Sequence, residues 1–482
     1  MMKTTWLNIL IVVFVTLGSF SYGYCASIIA STLGQPRFLQ YFGFEHNDAL
    51  LGATNGLFQT GGFFGALLIG PAADRLSRRG AIVLACVLLV IGGALQAGSV
   101  HVAMFLVMRT ITGVGVGLCV GCIPLYQSEI SPPKTRGFLV ALHGMIIGAG
   151  YSIAGWVGYA CYPMEGDIQW RLPLGIQCIP PGILIVGVLM LPESPRWLLQ
   201  QDRSQEALEV VKKLHGSADD DDNLVMHEFT QMREQLAMDK VNMQGATMFQ
   251  ELMKPHNLKR IALGFITMFG AQCTGTLVIN NYGVSLYSSV GYEGRAAIAL
   301  TAGWVTVSIP GNLITAVFVD RVGRVRFLII GFVGTVVALI GEMVVLSMEQ
   351  SYHTAIAAIF FLYMHVAVYG ACIDATTYIY VSEIFPTRIR AIGSSLSISG
   401  LFLASLTFTQ SATTAFASIE WKFYLVFTVA SAIMIVLLFF FFPETKGLSL
   451  EDIGACFNDP VIHGLSNSET ETKEENEMIE MV

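Results

Sequence analysis

Charge is what this sequence has least of. Only 13% of its 482 residues are Asp, Glu, Lys or Arg, about half the roughly 25% of a soluble domain. With 54% hydrophobic residues and a mean hydropathy of +0.61, the chain cannot cover the surface of a water-soluble fold of this length. Basic residues form no stripe or patch, which argues against nucleic acid as a partner. Cysteine is sparse and scattered. Of nine cysteines, only Cys119 and Cys122 form a CxxC, inside an apolar run and without a second pair, which argues against a zinc or dithiol centre. No N-x-[ST] sequon occurs, so a glycosylated ectodomain is not expected. Nucleophile–base pairs, metal-ligand clusters and phosphate loops are also missing, so neither an enzyme nor a cofactor is expected.

What the chain does have is long apolar runs. A spanning helix needs about 20 largely apolar residues. Twelve such windows can be drawn, at 7–31, 50–72, 81–98, 102–128, 138–160, 172–191, 261–288, 296–319, 327–347, 354–381, 391–416 and 421–442. The first has a lysine before it and small residues within it, as a secretory signal would, but it runs past Ala30, longer than a signal's core. It is read as the first spanning helix. The longest hydrophilic segment, 192–258, divides the windows six and six. With both termini on one side, that side holds 22 of the 27 basic residues. The other side holds Arg37, Arg171, Arg295 and Lys422, and Arg109 falls inside the fourth window. Basic residues accumulate on the cytoplasmic side, so both termini and the central segment are expected there.

The two halves repeat. Asp74-Arg75 with Arg78-Arg79 is echoed by Asp320-Arg321 with Arg324. SEISPPKTRG at 128–137 is echoed by SEIFPTRIRAIG at 382–393, and PESPR at 192–196 by PETKG at 443–447. The offsets are 246, 254 and 251 residues. A six-helix unit duplicated in parallel places a substrate cavity at the midplane between the halves. Each repeated motif lies at a helix end on the basic-rich side and combines acids with arginines. The residues are Asp74, Arg75, Arg78, Arg79, Glu129, Arg136, Glu193, Arg196, Asp320, Arg321, Arg324, Glu383, Arg390 and Glu444. Such groups form charge-assisted contacts between helix ends and are expected to latch the halves shut on that side. Arginine alone would satisfy a mere topology signal; the paired acids would not.

GPAADRLSRR (70–79), RTITGVGVGL (109–118), PLYQSEISPPKTRG (124–137), PESPRWL (192–198), VDRVGR (319–324), SEIFPTRIRAIG (382–393) and PETKGLSLEDI (443–453) are similar to motifs of the sugar porter branch of the major facilitator superfamily. The resemblance covers nearly the whole chain, and its general look is that of fungal members. It implies an all-α membrane protein of 12 transmembrane helices, built as two parallel six-helix repeats with a cytoplasmic helical linker. The expected division is an N-terminal bundle at 1–191, a linker at 192–258, a C-terminal bundle at 259–442 and a tail at 443–482, disordered after about 455. Within the linker, DRSQEALEVVKKL at 202–214 reads as an amphipathic helix with Asp202 as N-cap. The resemblance suggests that this helix acts in gating.

The resemblance thins at the pocket. Where the family has a glutamine in the fifth helix this chain has Gly144, with His143 before it. The family's QQxSGIN corresponds to AQCTGTL, which keeps Gln272 but puts Leu277 at the asparagine, with Asn280, Asn281 and Tyr282 following. The tenth-helix tryptophan is Tyr378, and the eleventh-helix asparagine–tryptophan pair becomes Leu401-Phe402. The substrate-binding candidates are therefore Gln272, Asn280, Asn281, Tyr378, Asp374, Phe402 and His143. Losing a bond to a buried hydroxyl costs about 1–3 kcal/mol, so an altered substrate is expected: a sugar, polyol or related polyhydroxy solute. The runner-up is a cyclic acid such as quinate, or a fungal secondary metabolite. A non-transporting nutrient sensor ranks last, since such members have long cytoplasmic extensions. The expected partners are a small-molecule substrate and the lipid bilayer, and the expected place is the plasma membrane.

Two positions bear on coupling. Proton-coupled members carry an Asp in the first helix opposite the fourth-helix arginine; here Tyr22-Gly23-Tyr24-Cys25 sets Cys25 opposite Arg109. A thiol, with an ordinary pKa of about 8.5, is a poor substitute, so a facilitative carrier is implied. Asp374 complicates that reading. It lies nine residues from Glu383, about 13 Å at 1.5 Å per residue, near the middle of a core about 30 Å thick. Tyr378, at i+4, shares its face, which puts Asp374 on or beside the pocket wall. A carboxylate at that depth must face the cavity, be paired or be protonated. Three roles stay open for it: binding substrate hydroxyls or a cationic group, serving as a relocated proton site, or bonding to neighbouring helices. Glu342 and His365, also at mid-membrane depth, read as structural.

Overall fold

A computed structural model describes residues 6–44, 48–131, 136–215, 225–226, 229–234, 236–237, 248–349, 351–386, 389–448, 453–454 and 456–457. The DDDD run at 219–222, the side chain of Arg136, and the tail past 455 apart from residues 456 and 457 lie outside the described residues. Twelve helical units run through the chain, and no strand occurs among the described residues. The first half contains α1 (Trp6–Thr32), α2 (Asp48–Leu67 then Ile69–Arg75), α3 (Ser77–Ala97), α4 (Val102–Ile130), α5 (Arg136–Cys161) and α6 (Ile168–Ile176 then Ile179–Val188). The second contains α7 (Pro255–Gln272 then Thr276–Ser289), α8 (Arg295–Val322), α9 (Arg324–Leu346), α10 (Tyr352–Tyr369, Gly370–Asp374, Ala375–Ile384), α11 (Arg390–Ile419) and α12 (Phe423–Phe441). Among the described residues, nine continuous helical stretches are long and apolar enough to cross a membrane. One of them, Arg390–Phe441, is α11 and α12 together, and the pair making up α2 passes once its 46° bend is allowed. With the 26-residue α5, these account for the twelve, and each expected window falls on one.

The breaks have local causes. Pro180 and Pro181 open the second part of α6 and cannot donate the amide hydrogens that would continue its first part. In α7 the chain turns at Gly275, whose φ of +78° is open to glycine at little cost. Non-helical backbone at membrane depth survives only inside protein. Here the Nε2 of His365, from α10, bonds the carbonyl of Thr274 at 3.0 Å.

Packing repeats between the halves. In the first, α1 lies on α5, and α2 and α3 lie on α4; in the second, α7 lies on α11, and α8 and α9 lie on α10. The most extensive contacts between the halves are α2 on α11 and α5 on α8, and the repeat relates these to each other.

The helix ends on the linker side show the same duplication in side chains. Arg78, at the start of α3, bonds Asp74 at 3.0 Å and Glu129 at 3.0 Å. Arg324, at the start of α9, bonds Asp320 at 2.7 Å and Glu383 at 2.8 Å. The hydroxyl of Ser194 donates to Glu129, and that of Thr445 donates to Glu383 at 2.6 Å. Glu193 accepts from the Ser77 hydroxyl at 2.9 Å and the Arg79 amide at 3.3 Å. Glu444 accepts from the amides of Arg324 and Val325 at 2.8 and 3.1 Å. Each PES or PET glutamate thus caps the third helix of its own half, where free amide hydrogens and the helix dipole favour an anion.

The linker supplies a helix at Ser204–His215, one residue later than an Asp202 cap would give. Asp202 takes a left-handed φ of +59°, so it sits in the turn ahead of the helix rather than at its N-cap. Ala207, Val211 and Leu214 are buried at the i, i+4, i+7 spacing of one face, and Ala207 and Val211 pack with Leu198 and Leu199.

Candidate functional site

A cavity of about 80 Å³ lies at the centre, lined from both halves: Tyr22 of α1 and Ile147, Gly148 and Tyr151 of α5 from the first, and residues of α7, α8, α10 and α11 from the second. Its polar lining includes Gln272, Asn280, Ser308, Asp374 and Thr377, and its aromatic lining is Tyr22, Tyr151, Trp304, Tyr369 and Tyr378. Lys, Arg and His are absent from the lining residues. The ring of Tyr22 stands edge-on to that of Tyr151 at 6.2 Å.

Asp374 reaches this cavity because α10 changes register. Residues Gly370–Asp374 form a π-helical turn, a feature that widens a helix and commonly marks a functional site. One face of α8 holds the turn. Gly311 lets the backbones close up, since a Cβ there would lie 2.8 Å from the amide of Ala371, and a Cβ on Gly370 would lie 2.9 Å from the carbonyl of Ser308. The hydroxyl of Thr315 donates to the Ala371 carbonyl at 2.7 Å, satisfying an acceptor that the altered register frees. Asn312 Nδ2 donates to Asp374 Oδ2 at 3.0 Å. Ser308, Gly311, Asn312 and Thr315 recur at helical spacing, so a single face of α8 does all of this.

The expected site residues separate into those that line the cavity and those behind it. Gln272, Asn280, Asp374 and Tyr378 line it. Asn281 does not; its Oδ1 accepts from Asn280 Nδ2 at 3.4 Å. His143 lies one layer back, with Nδ1 2.7 Å from the Ser19 hydroxyl and its ring edge-on to Tyr378 at 5.8 Å. Phe402 also stands outside the lining and packs on Gly62 of α2, where a Cβ would meet its ring at 2.3 Å; Leu401 lines the cavity instead. A one-residue step along a helix turns a side chain by about 100°, which separates these two. Tyr151, Trp304, Tyr369 and Asn312 were not singled out from sequence. A lone asparagine among apolar residues was the signal available for Asn312.

Arg109 is buried apart from the cavity. It donates to the backbone carbonyl of Cys25 at 3.1 Å and lies 4.2 Å over the ring of Phe58, so aromatic and carbonyl groups occupy the place of a carboxylate. Glu342 and His365 are buried in the second half, His365 on the α7 break. Of the helix-end residues, Arg75 and Arg321 are exposed, Arg196 is half-buried, and Arg390 donates to the carbonyl of Phe385 at 3.2 Å. The ion pairs named above each lie within one half.

Contacts between the halves flank the cavity toward both ends. Toward the end opposite the linker, the Thr306 hydroxyl of α8 meets the Ser152 hydroxyl at 2.7 Å and accepts from Trp156 Nε1 at 3.0 Å, both on α5. Beyond them, Arg295 lies 4.3 Å over the ring of Tyr159. Toward the linker, the Ser395 hydroxyl of α11 donates to the carbonyl of Ala66 of α2 at 2.6 Å.

Twelve helices in two parallel repeats, meeting around a central cavity lined by both, define a multi-pass membrane transporter of the major facilitator fold. The chain belongs to the family described as Sugar (and other) transporter, which matches residues 11–457. It is 33% identical over 467 residues to the MFS-type transporter criB of Aspergillus cristatus, covering 96% of each chain. It is 29% identical over 496 residues to the MFS glucose transporter mfs1 of Aspergillus flavus, covering 97% of this chain and 93% of that one. The fold is also that of the proton:xylose symporter XylE of E. coli bound to 6-bromo-6-deoxy-D-glucose, with a TM-score of 0.79 at 22% identity over 94% of this chain and 99% of that one.

Proposed function

We propose that this chain carries a sugar, polyol or related polyhydroxy solute across a membrane by alternating access, with the central cavity as its binding site. The observation that carries the proposal is the cavity's construction. A family whose members carry sugars presents here a chamber lined from both halves by one amide pair, Gln272 and Asn280, and by tyrosine hydroxyls. Its 80 Å³ is below the roughly 300–1,000 Å³ of small-molecule sites, so in this reading the halves move apart to admit the solute. Rocking the halves apart at α5 and α8, or at α2 and α11, opens one end at a time. The acid–arginine clusters act in this reading by fastening helix ends within each half, so that each half moves as a unit.

The carrier is facilitative in this account. Arg109 meets the Phe58 ring and the Cys25 carbonyl where a carboxylate would otherwise stand, so no acid there can load a proton. In this reading both termini and the linker face the cytoplasm, where basic residues accumulate, and the carrier works in the plasma membrane. A cyclic acid is the weaker candidate, because a solute carboxylate would meet Asp374 and no basic side chain among the lining residues.

Radiolabelled uptake in a yeast strain lacking its hexose carriers tests the proposal, using sugars, polyols and quinate with surface expression monitored. Uptake of a sugar or polyol that is insensitive to a protonophore is expected. Surface-expressed protein that moves none of them, or moves quinate alone, would overturn it.

A further inference from the structure

Asp374 has no counter-ion in the cavity wall. Asn312 Nδ2 donates to Oδ2, one neutral bond for a carboxylate that offers about four acceptor positions. Two hydroxyls of the same wall are committed elsewhere: Thr377 donates to the backbone carbonyl of Asp374 at 2.8 Å, and Ser308 to that of Val305 at 2.7 Å. The nearby basic residues stay outside the cavity lining: His143 meets Ser19 through Nδ1, and Arg109 lies over Phe58 and donates to the Cys25 carbonyl. Among the described residues no ion pair includes Asp374.

A second acceptor waits in the same wall. Asn280 is 2% exposed; its amide nitrogen donates to Asn281, and its Oδ1 has no partner. Five aromatic residues, Tyr22, Tyr151, Trp304, Tyr369 and Tyr378, also line the cavity, beside aliphatic ones. A carboxylate, an unsatisfied carbonyl oxygen and a set of aromatic rings, with no basic side chain, are complementary to a cation that donates hydrogen bonds. An ammonium group has three donors and no acceptor and is attracted to aromatic faces. A neutral polyol would leave the carboxylate without charge compensation, which is the costly arrangement for a buried acid.

We propose that the solute carries a protonated amine as well as hydroxyls, as an amino sugar or an amino polyol does. Asp374 holds the ammonium, and the aromatic residues enclose it. The inference rests on the reading of this cavity as the transport site, and it assigns the feature that separates this pocket from a hexose pocket.

The test is competition for binding to the purified full-length protein, by isothermal titration calorimetry, with matched pairs. The probes are glucose, its 2-amino-2-deoxy and 6-amino-6-deoxy derivatives, N-acetylglucosamine, sorbitol and 1-amino-1-deoxysorbitol. At least one amine should bind tenfold or more tightly than its neutral parent, and N-acetylation, which removes the charge, should abolish the gain. Asp374→Asn should bring amine and parent to within about twofold; if that variant does not fold, the wild-type ratios decide alone. Neutral parents binding as well as or better than every amine would overturn this inference and leave the sugar reading standing. Binding of no member of either series would overturn both.

Discussion

Removing Arg78 should cost this protein more than removing its counterpart Arg324, although the two occupy equivalent positions. The Arg78 side chain is 4% exposed. It bonds Glu129 twice, Nε to Oε2 at 3.0 Å and Nη2 to Oε1 at 3.1 Å, and also reaches Asp74 and the carbonyl of Ala73 at 3.0 Å each. Glu129 is only 9% exposed. Arg78→Leu would leave that carboxylate with the Ser194 hydroxyl and the surrounding apolar packing. Taking one partner from a buried ion pair costs about 3–5 kcal/mol. Arg324 meets Glu383 and Asp320 through a single nitrogen, and those acids are 24% and 72% exposed. Solvent then compensates much of the loss, and about 1–2 kcal/mol is expected for Arg324→Leu. The difference of about 2 kcal/mol is a factor of roughly 30 in the unfolding equilibrium. Unfolding of the purified full chain by SDS titration in mixed micelles measures both. The double variant Arg78→Leu with Glu129→Leu should recover part of the loss, because no orphaned charge remains. Equal destabilisation by the two arginine variants, or a double variant worse than Arg78→Leu, would refute the reasoning.

Two other predictions concern the breaks in α10 and α7. Asn312→Leu removes the one side-chain donor to Asp374 and should lower stability in the same titration by about 1.5–3 kcal/mol, the range for bonds to charged groups; no change would mean that the α8 face does not hold the π turn. Gly275→Ala combines a φ of +78° with a Cβ placed 2.6 Å from the Phe427 ring. It should destabilise by more than the roughly 1 kcal/mol of backbone strain alone, with reduced surface expression as a second readout.

Number and order of the helices were legible in the sequence, because length and apolarity suffice to define a spanning segment. So were the paired acids and arginines, whose spacing repeats. What those acids touch was not legible. Glu193 and Glu444 were expected to latch the halves, whereas each is bonded to the start of the third helix of its own half, a contact made across more than a hundred residues. The pocket was half legible. Positions carried from motifs found Gln272 and Tyr378, but Phe402, taken as the counterpart of the family's tryptophan, packs on Gly62 while Leu401 faces the cavity. The π turn of α10 was hidden because no proline marks GACID and the turn depends on Gly311, Asn312 and Thr315 of another helix.

The central claim is that the solute binds in the cavity shared by the halves. Leu277 lines that cavity from the second part of α7, whereas Ile340 of α9 is 45% exposed on the outer surface. Uptake of the transported solute, normalised to surface protein, should be compared for Leu277→Trp, Ile340→Trp and the wild type. A tryptophan filling the 80 Å³ chamber should reduce uptake by tenfold or more, equivalent to at least about 1.4 kcal/mol, while the same enlargement at Ile340 leaves it within about twofold. Leu277→Trp transporting as well as the wild type would contradict the account.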